Sequence, residues 1–237
     1  MSASPDTEIL RPNAAGDEAT LAATGEANGW ECVDEAITDG FDTYVSSSYS
    51  SAYKRDLYNL PASAILGGST INSVTIYFRC TYTTALAYAK PSLKSNGTVT
   101  DGTEVNVSLY TTWTTYSQEW DTNPADEEAW EVADIDALQI GVSLKAPSGK
   151  VYCTQVWAAI DYVAAPSITA DAATYVAQTT AQLNSTVDDD GGEPCDVRFG
   201  YGDETQTADN FLLYDTVTSW VEDIYTTEQH PYFEASG

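Results

Sequence analysis

Short runs of alternating apolar and polar residues, turn residues between them, and a Thr- and Tyr-rich composition predict an all-β chain. The predicted architecture is an antiparallel jelly-roll β-sandwich over residues 29–163. A partial immunoglobulin-like or fibronectin type III-like sandwich follows over 167–237. Residues 164–166, Ala-Ala-Pro, link the two, and residues 1–28 form an extended N-terminal arm. A hydrophobic content of 43% suffices for a core, so most of the chain folds despite its acidity.

The elements follow in order. Pro5, Pro12, Gly16 and Gly25 with scattered acids leave 1–28 without periodicity, as an arm or a disordered tail. Trp30 to Glu35 begins the β pattern, and an acidic loop runs from Asp34 to Asp42. Thr43 to Val45 and Asp56 to Leu60 are short strands, the second stopped by Pro61. Ile71 to Tyr82 is the clearest strand, with Val74, Ile76 and Phe78 on one face. Ala87 to Lys94 precedes an Asn96-Gly97 turn. Val105 to Leu109 and Thr114 to Trp120 follow. Asn123 to Trp130, with Pro124 and early acids, reads as a two-turn helix, and Asp134 to Leu138 as a further turn. Gln139 to Leu144 is a strand that Pro147 to Lys150 turns back, and Val151 to Tyr162 closes the sandwich. Beyond the linker come Ser167 to Thr169, Thr179 to Val187, an acidic Gly turn at Asp188 to Gly192, and Cys195 to Tyr201. The sequence runs out before the last strands of such a fold: either the domain is truncated there or another chain supplies the missing strands.

Charge narrows the partners. Nine basic and 36 acidic residues give a net charge of −27, which repels phosphate backbones and anionic lipid. Nucleic acid and membrane insertion are therefore excluded. The sole His, His230, leaves no basis for a catalytic triad or a His-rich metal site. The N-terminus lacks the basic and apolar regions of a secretory signal. Cys32, Cys80, Cys153 and Cys195 have no CxxC spacing; free buried thiols are favoured, though a disulfide remains open. Strand parity sets Cys80 and Cys153 on different faces, which argues against pairing them.

Several segments resemble a known group. They are Asp56-Leu57-Tyr58-Asn59-Leu60-Pro61, Thr75 to Cys80, Trp130 through Asp134 to Val142, Cys153 to Val156, and Gly191 to Gly202. Across residues 29–233 the chain resembles uncharacterised phage, prophage and environmental virion-type jelly-roll proteins that carry a following immunoglobulin-like module. The resemblance implies a virion or surface structural role and brings no catalytic motif.

The residues suggest three chemistries. Asp34, Glu35, Asp39 and Asp42 in one loop, with Asp161 on the closing strand, offer hard oxygens for calcium; the alternative is a solvated acidic turn. Asp188 to Asp190 is a weaker version of the same. Trp113, Tyr116, Trp120 and Trp157 offer aromatic surface for a subunit interface or a glycan, with the interface favoured. No carboxylate pair stands out for glycoside hydrolysis, and no enzyme is expected.

The reading is a non-enzymatic structural protein of a phage virion, a capsid decoration, tail or fibre-associated component. It would assemble with copies of itself and other virion proteins through sheet edges and arm exchange. The alternatives are a carbohydrate-binding surface module, or a subunit of an extracellular donor-strand filament.

Overall fold

The computed structural model describes residues 5–83, 86–107, 112–177, 180–191, 195–201, 216–224 and 232–236. His230, Leu109, Gly192 to Pro194 and Gly202 lie outside them. The chain divides into two compact units, Asp6–Tyr162 and a second beginning at Val163.

The first unit is an antiparallel β-sandwich. Its strands are β1 (Asp6–Leu10), β2 (Ala14–Ala19), β3 (Ala22–Thr24), β4 (Tyr44–Asn59), β5 (Thr70–Tyr82), β6 (Tyr88–Ser95), β7 (Thr98–Asp101), β8 (Val105–Asn106), β9 (Thr114–Trp120) and β10 (Gln139–Val163). Hydrogen bonding runs β2–β4–β10–β5–β9, with β1 and β6 also on β10, β3 on β4, and β7 and β8 on β6. One core lies inside this network. It includes Ile76, Phe78 and Cys80 of β5, Leu93 of β6, and Ile140, Val142, Leu144, Val156, Ala158 and Ile160 of β10.

Two long strands replace four short ones. Gln139 to Leu144 pairs with Asn59 to Lys54, and Lys150 to Cys153 pairs with Ser48 to Val45. Both halves of β10 thus continue along the same neighbour, β4. The expected reversal at Pro147 to Lys150 is instead an irregularity between Leu144 and Lys150, with Tyr49 at φ 47° opposite it. A second irregularity changes the inward face. Val151 and Cys153 are buried, and so are Val156, Ala158 and Ile160. The parity switches because the Val156 N–H leaves the ladder for the Val33 carbonyl, 2.9 Å away. Cys80 and Cys153 therefore both face the core, which corrects the parity argument against them. Cys32, Cys80 and Cys153 are buried free thiols.

Two local expectations change. Trp30 to Glu35 is not a strand: Cys32 and Val33 donate to the Gly29 and Trp30 carbonyls, three residues back, and make a 3₁₀ turn at Trp30–Cys32. Asn123 to Trp130 is not a helix. Asn123 is buried, donates to the Ser95 hydroxyl at 2.9 Å and accepts from the Ala125 N–H at 3.0 Å, so its side chain folds a turn. The helix, α1 (Val132–Asp136), starts later, under a capping box of Glu131 and Asp134.

The N-terminal segment docks on its own sandwich. In β1, Asp6 lies opposite Tyr162 and Leu10 opposite Ala158. β2 and β3 pair with β4. Gly16 permits this approach, because a Cβ there would sit 2.5 Å from the Leu57 carbonyl oxygen. Buried Asp56 accepts the Thr20 and Leu21 N–H groups at 2.6 and 2.7 Å. This pairing corrects the expectation of an arm exchanged between subunits.

In the second unit the strands are β11 (Ser167–Thr174), β12 (Thr180–Asp189), β13 (Cys195–Val197), β14 (Gly200–Tyr201), β15 (Thr216–Val217), β16 (Val221–Ile224) and β17 (Tyr232–Ser236). They form a sheet β11–β12–β17 and the pairs β13–β16 and β14–β15. The last strand, β17, pairs with β12 of its own chain. Among the described residues no helix is long and apolar enough to cross a membrane.

Candidate functional site

The acidic loop between the 3₁₀ turn and β4 carries an aromatic group to the surface. Phe41 stands 42% exposed at its tip. Its ring lies 4.9 Å from Trp113, tilted 55°, and 5.4 Å edge-on to Tyr152. Tyr152 meets Tyr44 edge-on at 5.0 Å. Trp113, Tyr44 and Tyr152 are half-buried. The Lys150 ammonium sits over both tyrosines, 5.1 and 5.0 Å from the ring centres. Four rings from a loop, from β4, from the approach to β9 and from β10 thus form one patch.

Hydrogen bonds hold the loop beneath the rings. Thr43 Oγ1 lies 2.6 Å from Glu35 Oε1 and 2.7 Å from Asp39 Oδ2. Thr154 on β10 donates to Asp39 Oδ1, and Gln155 Nε2 and Arg11 Nη1 donate to the Glu35 carbonyl, both at 2.7 Å. A hydroxyl has one proton, so Thr43 can donate to only one of the two carboxylates at a time. Glu35 Oε2 is buried without a partner. Burial first, then Asp39 and Asp34, pushes the Glu35 carboxyl above its usual range. Gly40, at φ 73°, bends the loop in the left-handed region just before Phe41.

The proposed calcium ligands do not converge. Glu35 and Asp39 meet through Thr43, and Asp34 acts on Glu35 as a neighbouring charge, but Asp42 is exposed. Asp161 accepts from Asn72 Nδ2 at 2.6 Å on the β1 side of β10. No group of three or more His, Cys, Asp or Glu that could hold a metal ion occurs among the described residues. Asp188 and Asp189 serve Thr169 and Gly191 as hydrogen-bond acceptors.

Three expected surface aromatics have other partners. Tyr116 and Trp120 lie opposite Phe78 and Val74, on the core side of β9, and both pack against the core. Tyr116 stacks on Phe78 at 5.6 Å. Trp157 stacks flat on Tyr77 at 5.0 Å, with the Arg11 guanidinium over its ring at 5.2 Å. Trp113 is the one considered tryptophan that joins the patch. Phe41, Tyr44 and Tyr152 were missed; the signal was an aromatic inside the Asp-Gly-Phe-Asp loop, where no core demands one.

A second polar face is closed on itself. Arg55 is clamped by Glu18 and Asp101, Lys94 by Asp17, and Lys145 by Glu104. Tyr53 donates to Glu104, and Lys145 and Lys90 lie over its ring at 4.5 and 4.8 Å. Burial, with the Glu104 bond added, raises the Tyr53 phenol far above its usual range. Its carboxylates are engaged by neighbouring cations, so the aromatic patch is the better candidate for a ligand.

No family model matches the chain, and no curated protein sequence matches it. Similar solved structures exist at low likeness. The C-terminal CBM6 of LamC from Zobellia galactanivorans is 13% identical, with a TM-score of 0.35, over 65% of this chain and 98% of that one. The CBM22-1 xylan-binding domain of Paenibacillus barcinonensis Xyn10C is 9% identical, with a TM-score of 0.37, over 68% and 97%. The enzymatically active domain of bacteriophage CBA120 tailspike protein 4 is 12% identical, with a TM-score of 0.35, over 66% and 19%. Such scores transfer no ligand or activity. Carbohydrate-binding modules recur among these similar structures. The N-terminal strands paired with β10 and β4 of their own chain replace the arm exchange on which the virion-assembly expectation rested.

Proposed function

We propose that this protein is a non-catalytic carbohydrate-binding module of an extracellular or surface setting. Its sugar site would be the Phe41, Trp113, Tyr44 and Tyr152 patch. The exposed Phe41 ring, braced at 4.9 Å by Trp113, carries this reading. A flat apolar ring presented to water offers a stacking surface for the C–H face of a pyranose. Lys150, whose ammonium lies over the Tyr44 and Tyr152 rings, offers a donor for sugar hydroxyls. Since the loop is tied to β10 by Thr154 and Gln155, the rings are held in place before a ligand arrives, which lowers the ordering cost of binding.

Affinity electrophoresis through gels containing β-1,3-glucan, β-1,4-glucan, xylan or galactan tests it. At least one polysaccharide should retard the native protein, and Phe41→Ala or Trp113→Ala should remove most of the retardation. Trp157→Ala should leave it intact. Retardation that survives both patch substitutions, or none on any gel, overturns the reading.

A further inference from the structure

Two cysteines meet inside the first unit. Cys80 on β5 and Cys153 on β10 are fully buried, and their strands are neighbours. Their register can be read three residues away. The Thr83 N–H donates to the Lys150 carbonyl at 3.0 Å, and the Lys150 N–H to the Thr83 hydroxyl at 3.1 Å. Carried inward, that antiparallel pairing sets Cys80 opposite Cys153. Bonded and non-bonded pairs alternate, so this is a narrow, non-hydrogen-bonded position, where opposed Cα atoms approach to about 4.5 Å. A disulfide spans Cα separations of about 4.4–6.8 Å. The Cys153 thiol donates to the Gln155 carbonyl at 3.3 Å, a local bond that a turn of its side chain releases. The other cysteines are engaged elsewhere: the Cys32 thiol donates to the Thr24 carbonyl at 3.4 Å, and Cys195 belongs to the second unit.

We propose that Cys80 and Cys153 form a cross-strand disulfide site, closed during folding by a low-molecular-weight disulfide oxidant such as oxidised glutathione. One cysteine thiolate attacks the oxidant, giving a mixed disulfide and one glutathione thiol. The other cysteine thiolate then attacks the mixed disulfide at the protein sulfur and expels the second glutathione. Overall two S–H bonds break, one protein S–S bond forms, and the oxidant's S–S bond is reduced to two thiols. Burial raises the Cys80 thiol well above its usual range, so few thiolates form in the folded chain and closure belongs to the folding reaction. The bond would staple two central strands and tie residue 80 to residue 153.

The test is to refold the full chain in a glutathione redox buffer, block free thiols, and digest with trypsin plus an aspartate-specific protease. Cleavage at Asp161 separates Cys153 from Cys195. The expected result is a Cys80–Cys153 linked peptide, and a melting temperature about 5–10 °C above that of the reduced protein. Cys80→Ser and Cys153→Ser should each abolish both the link and the shift. Folded protein with both thiols alkylated, or a dominant link from Cys153 to Cys32 or Cys195, overturns the proposal.

Discussion

Trp157 lies flat on Tyr77, with ring centres 5.0 Å apart and planes within 4° of parallel. Arg11, from the segment just after β1, covers the ring as well. This tryptophan therefore fastens the N-terminal strands to the sandwich. Trp157→Ala should cost about 1–3 kcal/mol of stability while leaving polysaccharide retention unchanged. Thermal melts run beside affinity gels read both quantities from one preparation.

Gly40 sets the direction of the loop into Phe41 from a left-handed backbone conformation, φ 73°. Open space surrounds it apart from Trp113 Nε1, 3.7 Å from where a Cβ would lie, so the constraint is conformational rather than steric. Gly40→Ala should cost about 1 kcal/mol and weaken retention by moving Phe41. Asn tolerates this region better, so Gly40→Asn should retain more binding than Gly40→Ala. Equal loss in both variants would disconnect the backbone angle from the site.

Asp56 accepts three donors, from Thr20 N–H, Leu21 N–H and Tyr58 O–H, the last at 3.2 Å. Burial nevertheless dominates and holds its carboxyl above the usual range. A raised acid is favoured protonated in the folded state. Its contribution is thus full below the ordinary aspartate value and is lost as pH rises through the folded value. Asp56→Asn keeps an acceptor for Thr20 and Leu21 and offers an N–H to Tyr58. It should flatten the pH dependence above pH 4, whereas Asp56→Ala should destabilise by about 2–4 kcal/mol through orphaned N–H groups. Urea titrations between pH 4 and pH 8 separate the two.

Asp101 behaves in the opposite sense. Burial alone would raise it, but bonds from Ser92, Arg55 and Ser143 outweigh burial and hold it below the usual range. Its contribution is present above the ordinary aspartate value and disappears as pH falls through the folded value. Asp101→Asn should lose about 1–2 kcal/mol at pH 7, after allowance for the partly exposed Arg55 pair, and progressively less toward pH 3. A difference between the two proteins that grows on acidification would contradict this assignment.

The strands most visible in the sequence were those with one buried face. Ile71 to Tyr82 alternates cleanly because β5 packs Val74, Ile76 and Phe78 inward, and the structure places it at Thr70–Tyr82. Asn96-Gly97 marked its hairpin because both residues need positive φ, 48° and 79°. Parity arguments failed on β10, where Val156 spends its N–H on Val33 and every inward side chain beyond it changes sequence parity. Asn123 looked like a helix cap because its bond to Ser95 is long-range and leaves no local trace. The candidate site was half legible. Trp113 is one of four aromatics that stand out in the sequence, but its neighbours in the patch, Phe41 and Tyr152, come from distant segments that only the fold brings together.

Asp6 and Tyr162 face one another across the β1–β10 ladder. The first and last residues of the sandwich unit therefore stand side by side, a few ångströms apart, as antiparallel partners do. A domain whose ends touch is a cassette. It can be spliced into an exposed loop of an unrelated host without spreading the host's flanking residues, or joined end to end and reopened at another turn such as Asn96-Gly97.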